Sequence, residues 1–218
     1  MNSMEFRMSD LAELKEALIV GDWKTAAAAT RAALAAGVAP LTIVTGHLMP
    51  AMDEVGRLFE CEDYFVPEML LSARAMKASM EIVRPLLAAS GAQPAGRVVI
   101  GTVKGDLHDI GKNLVAAMLE GGGFEVIDLG VDVAPELFIE AVATRHADLV
   151  ALSALLTVTM GWMKTTIDAL QAAGLREKVK IMVGGAPVTQ QYANSIGADG
   201  FSESAGSAVA LARKLVAA

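Results

Sequence analysis

Cysteine is nearly missing from this chain: Cys61 stands alone among 218 residues. One thiol cannot close an intrachain disulfide, and it excludes a zinc site built from cysteine pairs. Positive charge is also short, with 18 Lys and Arg against 25 Asp and Glu and a formal net charge of −7. A nucleic-acid surface needs clustered Lys and Arg, so nucleic acid is not expected as a partner. No apolar run approaches the roughly 18 residues of a membrane span, so no membrane is expected either. The opening Met1-Asn2-Ser3-Met4-Glu5 lacks the basic-then-apolar order of a secretion signal, and a cytoplasmic location is expected. What is abundant is apolar residues: 54% hydrophobic with 20% charged points to a filled globular core. At about 150 residues per domain, the length fits one large domain or two small ones.

The chain has two halves with different patterning. Residues 1–89 carry helical spacing throughout and no convincing strand. Asp10 and Glu13 are placed like a capping box for a first helix reaching Val20, and Asp22 restarts a second that Gly37 ends. Pro40 suits the first turn of a third helix and Pro67 that of a fourth, so a four-helix bundle is expected. Residues 90–96, Ser-Gly-Ala-Gln-Pro-Ala-Gly, have the composition of a linker. From 97 to 218 strands and helices alternate, with strands expected at 97–103, 125–129, 149–153, 178–183 and 200–201. Helices are expected at 110–120, 135–144, 160–173, 189–196 and 204–216. Five such units predict a parallel, doubly wound α/β sheet of the flavodoxin or Rossmann kind.

Three loops leave the first, third and fourth strands and meet on one edge of that sheet. The first carries Gly105, Asp106, His108, Asp109, Ile110 and Gly111. It places a histidine at the C-terminal lip of a buried strand, where open α/β sheets bind ligands. A carboxylate two residues before an imidazole can fix its tautomer, and a glycine three residues after can admit something bulky. Those are the needs of a metal ligand. The second loop holds Ser153, Leu155, Thr157 and Thr159, and the third holds Gly184 and Gly185. Taken singly, the hydroxyls read as helix caps and the glycine pair as an ordinary turn or a phosphate loop. His47 and His146 read as surface residues, and the acidic stretch 60–63 as a solvated joint.

The stretch from Val103 to Asn113, with D-x-H-x-x-G, S-x-L and G-G in order, resembles the cobalamin-binding module of cobalamin-dependent methionine synthase. It is similar too to the corrinoid proteins of methylamine and methanol methyltransferase systems. Tyr64 to Arg74 resembles the helical cap of that family, and 184–200 its stand-alone members. The resemblance implies cobalamin, as methylcobalamin or another corrinoid, bound base-off with His108 as the lower ligand of cobalt. It also implies Asp106 as the proton-holding partner of His108, and protonation of that pair when the cobalt bond is released. The family places a serine where Thr159 stands; Thr159 either completes this relay or caps the helix that follows. Gly105, Asp109, Ile110, Gly111, Ser153, Leu155, Thr157, Gly184 and Gly185 would line the cofactor, the last two letting its nucleotide loop pass the backbone. Phe65, Met69, Leu70 and Met76 are candidates to cover its upper face.

The implied function is a methyl carrier, loaded by a substrate-specific methyltransferase and unloaded by an acceptor methyltransferase, with a reductive activator as a further partner. The chain has no barrel of ~200–250 residues that could hold a substrate, so turnover alone is not expected. Two rivals share the cobalamin module. An adenosylcobalamin mutase subunit works against a substrate barrel and need not carry such a cap. A cobalamin-dependent sensor adds a DNA-binding segment, at odds with the acidic charge.

Overall fold

A computed structural model describes residues 3–89 and 93–217. The chain divides into two compact units: one gathers the helical residues up to Pro94 together with Glu120–Gly123, the other Ala95–Leu119 and Phe124 onward. Of the expected linker 90–96, Ser90, Gly91 and Ala92 lie outside the described residues.

The helical unit runs α1 (Ser3–Ile19), α2 (Trp23–Ala35), α3 (Pro40–Ile43), a π turn (Val44–Leu48), α4 (Met49–Glu60) and α5 (Val66–Ala89). The α1 helix starts at Ser3, so Asp10 lies inside it and is no cap. Met4-Glu5-Phe6-Arg7-Met8 contains neither Gly nor Pro to stop a helix growing backward. Asp22 does cap α2, its carboxylate accepting from the Lys24 and Thr25 amides at 3.1 Å. The expected third helix is one run through α3, the π turn and α4. Pro50 explains its wide turn: Pro50 has no N–H for the Gly46 carbonyl, and its ring crowds that oxygen. Leu14, Leu18, Ile43, Leu48, Met52, Met69 and Met76 are among the large side chains buried in this stretch of the chain.

The second unit alternates β1 (Arg97–Thr102), α6 (Ile110–Gly121), β2 (Glu125–Asp128), α7 (Pro135–Arg145) and β3 (Leu149–Ser153). It continues with α8 (Gly161–Ala172), β4 (Lys180–Gly184), α9 (Gln190–Ile196), β5 (Gly200–Phe201) and α10 (Ala205–Val216). The five strands lie parallel in the order β2-β1-β3-β4-β5. β4 starts at Lys180, two residues later than expected, because Arg176–Lys178 close a 3-10 turn first. Residues Val98, Val99, Leu149 and Val150 are fully buried, as strands covered on both faces must be. The chain goes from β1 to β2 on one side and returns to β3 on the other. The crevice of an open α/β sheet therefore opens between the C-terminal ends of β1 and β3. Those ends are in register, Thr102 opposite Ser153, and the Val103 amide donates to the Ser153 carbonyl at 3.0 Å. Among the described residues, no helix is long and apolar enough to cross a membrane.

Candidate functional site

Directly after β1 the chain makes a β-turn from Val103 to Asp106, closed by the Asp106 amide on the Val103 carbonyl at 3.2 Å. The third position of this turn requires a positive φ, and Gly105 stands there at +79°. The turn carries the Asp106 side chain into the interior, where it is wholly buried, and lets the chain emerge again at Leu107 and His108.

Asp106 is saturated. Its Oδ1 accepts from the His108 ring Nδ1 at 2.7 Å and from the His108 amide at 3.1 Å. Its Oδ2 accepts from the amides of Leu155 and Leu156 at 2.8 and 3.2 Å and from the Thr159 hydroxyl at 2.7 Å. Burial opposes the charge of this carboxylate. The Thr159 hydroxyl, the His108 ring and the Leu155 and His108 amides outweigh burial and hold its pKa well below the carboxylate range. The carboxylate is therefore an acceptor only, so His108 Nδ1 donates to it, and in the neutral imidazole Nε2 carries the free lone pair. Nearly half of the His108 side chain, 49%, is exposed.

The structure thus brings Asp106, His108 and Thr159 together from two loops. Thr159 does not cap α8: that helix has Met160 at its N-cap and no side-chain cap. The Thr159 oxygen also lies 2.8 Å from the Leu156 carbonyl, but its single proton favours the anionic Asp106 oxygen.

Around His108 the surface is apolar. Leu107, Ile110, Leu155, Leu156 and Val158 are all exposed, from 40% at Leu156 to 82% at Val158. Exposed apolar side chains gathered on two adjoining loops mark a binding face. Gly111, at the start of α6, has nothing within 4 Å of where a Cβ would sit. No crowding inside the chain requires a glycine there, so the open space is available to a ligand. Among the described residues, no group of three or more His, Cys, Asp or Glu is placed to hold a metal ion. One imidazole holds a metal only when the remaining ligands arrive with it. A flat, largely apolar macrocycle carrying its own metal fits these features.

The remaining expected residues fall differently. Asp109 is exposed and accepts from Asn113 at 3.1 Å; Thr157 is exposed and Ser153 half-buried. The glycine pair serves the chain's own backbone. A Cβ on Gly185, which has φ +131°, would lie 1.9 Å from the Ala154 carbonyl oxygen, and one on Gly184 would lie 3.2 Å from that of Ser202. In the helical unit Phe65 and Leu70 are exposed. Met69 and Met76 are instead buried, at 0% and 2% exposure.

Sequence reasoning missed the residues that hold the loop from behind. The buried Thr102 hydroxyl donates to the His108 carbonyl at 2.9 Å. Lys112, on a helix face otherwise used for packing, turns its ammonium to Asp128 at 2.5 and 2.7 Å and to Asn113 at 2.6 Å. Asp132 meets Gly105 and Asp106. A lysine among the apolar positions of α6 was the one readable signal.

The chain has counterparts among known proteins. The B12 binding domain family model matches residues 96–211, and a second B12 binding domain model matches residues 10–84. The chain belongs to the corrinoid proteins built on these domains. It is 44% identical over 202 residues to trimethylamine corrinoid protein 2 of Methanosarcina mazei, covering 92% of this chain and 93% of that one. The methanol:cobalamin methyltransferase complex of Methanosarcina barkeri contains a chain with TM-score 0.85 and 31% identity, covering 96% of this chain and 80% of that one. A cobalamin-binding protein of Desulfitobacterium hafniense superposes with TM-score 0.79 and 31% identity, over 94% of this chain and 98% of that one.

Proposed function

We propose that this chain is a corrinoid methyl carrier that holds cobalamin base-off, with the Nε2 atom of His108 as the lower ligand of cobalt. The bound corrinoid supplies a metal centre able to accept a methyl group and to give it up again. The chain's own residues do the rest. Asp106 keeps the imidazole proton on Nδ1 and orients the ring, while Thr159 and the Leu155 and Leu156 amides keep Asp106 ionised in place. Asp106 would hold the His108 ring through Nδ1 whether or not Nε2 is engaged by the metal, and its buried negative charge would favour a basic ring nitrogen there. Leu107, Ile110, Leu155, Leu156 and Val158 keep water from the ring's surroundings, and Ser153 and Thr157 would line the path of the displaced tail.

The partners on this reading are a substrate-specific methyltransferase, an acceptor methyltransferase and a reductive activator. Its support is kinship: the similar proteins are a trimethylamine corrinoid protein and a chain of a methanol:cobalamin methyltransferase complex. The observation that carries the reading is the 2.7 Å contact of His108 Nδ1 with a buried carboxylate, beneath an exposed apolar face. Reconstitution with hydroxocobalamin tests it. The protein should turn red, and His108→Ala should change the visible spectrum to one without histidine coordination. A colourless wild-type protein contradicts cobalamin binding; an unchanged His108→Ala spectrum contradicts the ligand.

A further inference from the structure

We infer that Asp132, in the loop between β2 and α7, is a positioning residue for His108. The inference rests on the reading of His108 as the axial ligand. Asp132 grips two consecutive residues of the turn that delivers the histidine. Its amide donates to the Asp106 carbonyl at 2.9 Å, and its Oδ1 accepts from the Gly105 amide at 2.6 Å. It does so from φ +53°, a left-handed conformation that residues with a Cβ rarely adopt. A residue held in that region signals a surrounding structure that imposes it, often at a site of function.

The loop that presents Asp132 is itself fixed at both ends. Asp128, at the end of β2, is tied to the buried Lys112 ammonium and accepts from the Gly130 amide at 2.8 Å. The Thr102 amide donates to the Gly130 carbonyl and the Val133 amide to the Thr102 carbonyl, each at 3.0 Å. Val133 also bridges to Val103 in parallel. Asp132 therefore acts as a strut between a fixed loop and the Gly105–Asp106 peptide. Thr159 and the Leu155 and Leu156 amides hold the Asp106 carboxylate from the β3 side. Asp132 holds the Asp106 backbone from the β2 side, and the direction of the His108 ring depends on both.

Three variants separate the hydrogen bond from the backbone strain. Asp132→Gly accepts the positive φ at no steric cost but removes the carboxylate. Asp132→Asn keeps an acceptor oxygen and tolerates the left-handed region. His108→Ala provides the reference for a lost ligand. Each is titrated with hydroxocobalamin, its visible spectrum recorded, and amide exchange at Gly105 followed in the cofactor-free protein. Asp132→Gly should bind about tenfold more weakly, the lower end of what outer partners of a ligating histidine usually cost. Part of its bound cofactor should show the His108→Ala spectrum, and the Gly105 amide should exchange faster. Asp132→Asn should restore affinity and spectrum. Should Asp132→Gly fail to fold, Asp132→Ser, with a shorter side chain, takes its place. A spectrum that responds to His108→Ala but not to Asp132→Gly overturns the role of Asp132 alone. So does an Asp132→Asn protein as impaired as Asp132→Gly. A spectrum that ignores His108→Ala overturns the ligand reading and this inference together.

Discussion

The His108 ring and the Asp106 carboxylate are joined at 2.7 Å, and the same Asp106 oxygen also accepts the backbone amide of His108. Ring and backbone of the histidine are thus referred to one buried atom. A carboxylate so engaged loses much when it is neutralised. Asp106→Asn should destabilise the cofactor-free protein by about 2 kcal/mol near neutral pH, since hydrogen bonds to a charged acceptor are the strong ones. The pH dependence follows from the depressed pKa of Asp106 in the folded protein, set against 3.8 for a free carboxyl. Its contribution is complete above the unfolded value and is lost as pH falls below it toward the folded value. Urea unfolding should find the gap between wild type and Asp106→Asn narrowing below about pH 4.

Thr159 gives the cleanest test of the outer link. Thr159→Val keeps the branched shape and removes the hydroxyl, while Thr159→Ser keeps the hydroxyl and removes the methyl. The valine variant should lose about 2 kcal/mol of stability and bind hydroxocobalamin more weakly. The serine variant should stay close to wild type in both. Denaturant titration and cofactor titration read the two effects separately.

Two glycines of the site should respond in opposite senses. At Gly185 a Cβ meets the Ala154 carbonyl, so Gly185→Ala should destabilise the chain by ~3 kcal/mol or more, with or without cofactor. At Gly111 a Cβ meets nothing, and alanine is the better helix former, so Gly111→Ala should stabilise the cofactor-free protein by about 0.5–1 kcal/mol. It should at the same time weaken cobalamin binding. Thermal melts of the cofactor-free proteins and equilibrium binding would show the crossing; an affinity untouched by Gly111→Ala would remove that glycine from the site.

The order of elements was legible because apolar periodicity changes at residue 96 from helical spacing to strand and helix in turn. The parallel sheet and its switch point followed from that alternation. Ends were harder. No Gly or Pro between Met4 and Met8 stops α1 short of Ser3, whereas Pro50 turns a plain helix into a π turn through a clash that only helical geometry reveals. In the site, Asp106 and His108 could be paired as candidates from their spacing, since a carboxylate two residues from an imidazole can reach its ring. Thr159 stayed open until its loop was seen to fold back onto Asp106, 53 residues away. Asp132 was not readable at all, because its role depends on a left-handed backbone and on partners 26 and 27 residues earlier in the chain.

Electron paramagnetic resonance of the cobalt(II) form, reconstituted into protein labelled with nitrogen-15 at histidine only, tests the central claim most directly. Nitrogen-15 has spin one-half and splits each cobalt line in two, whereas the ordinary nitrogen of the cofactor's own base splits it in three. Doublets that disappear in His108→Ala are the expected result. Triplets in the labelled wild-type protein would mean that the cofactor's base still occupies the lower position, and would contradict the account.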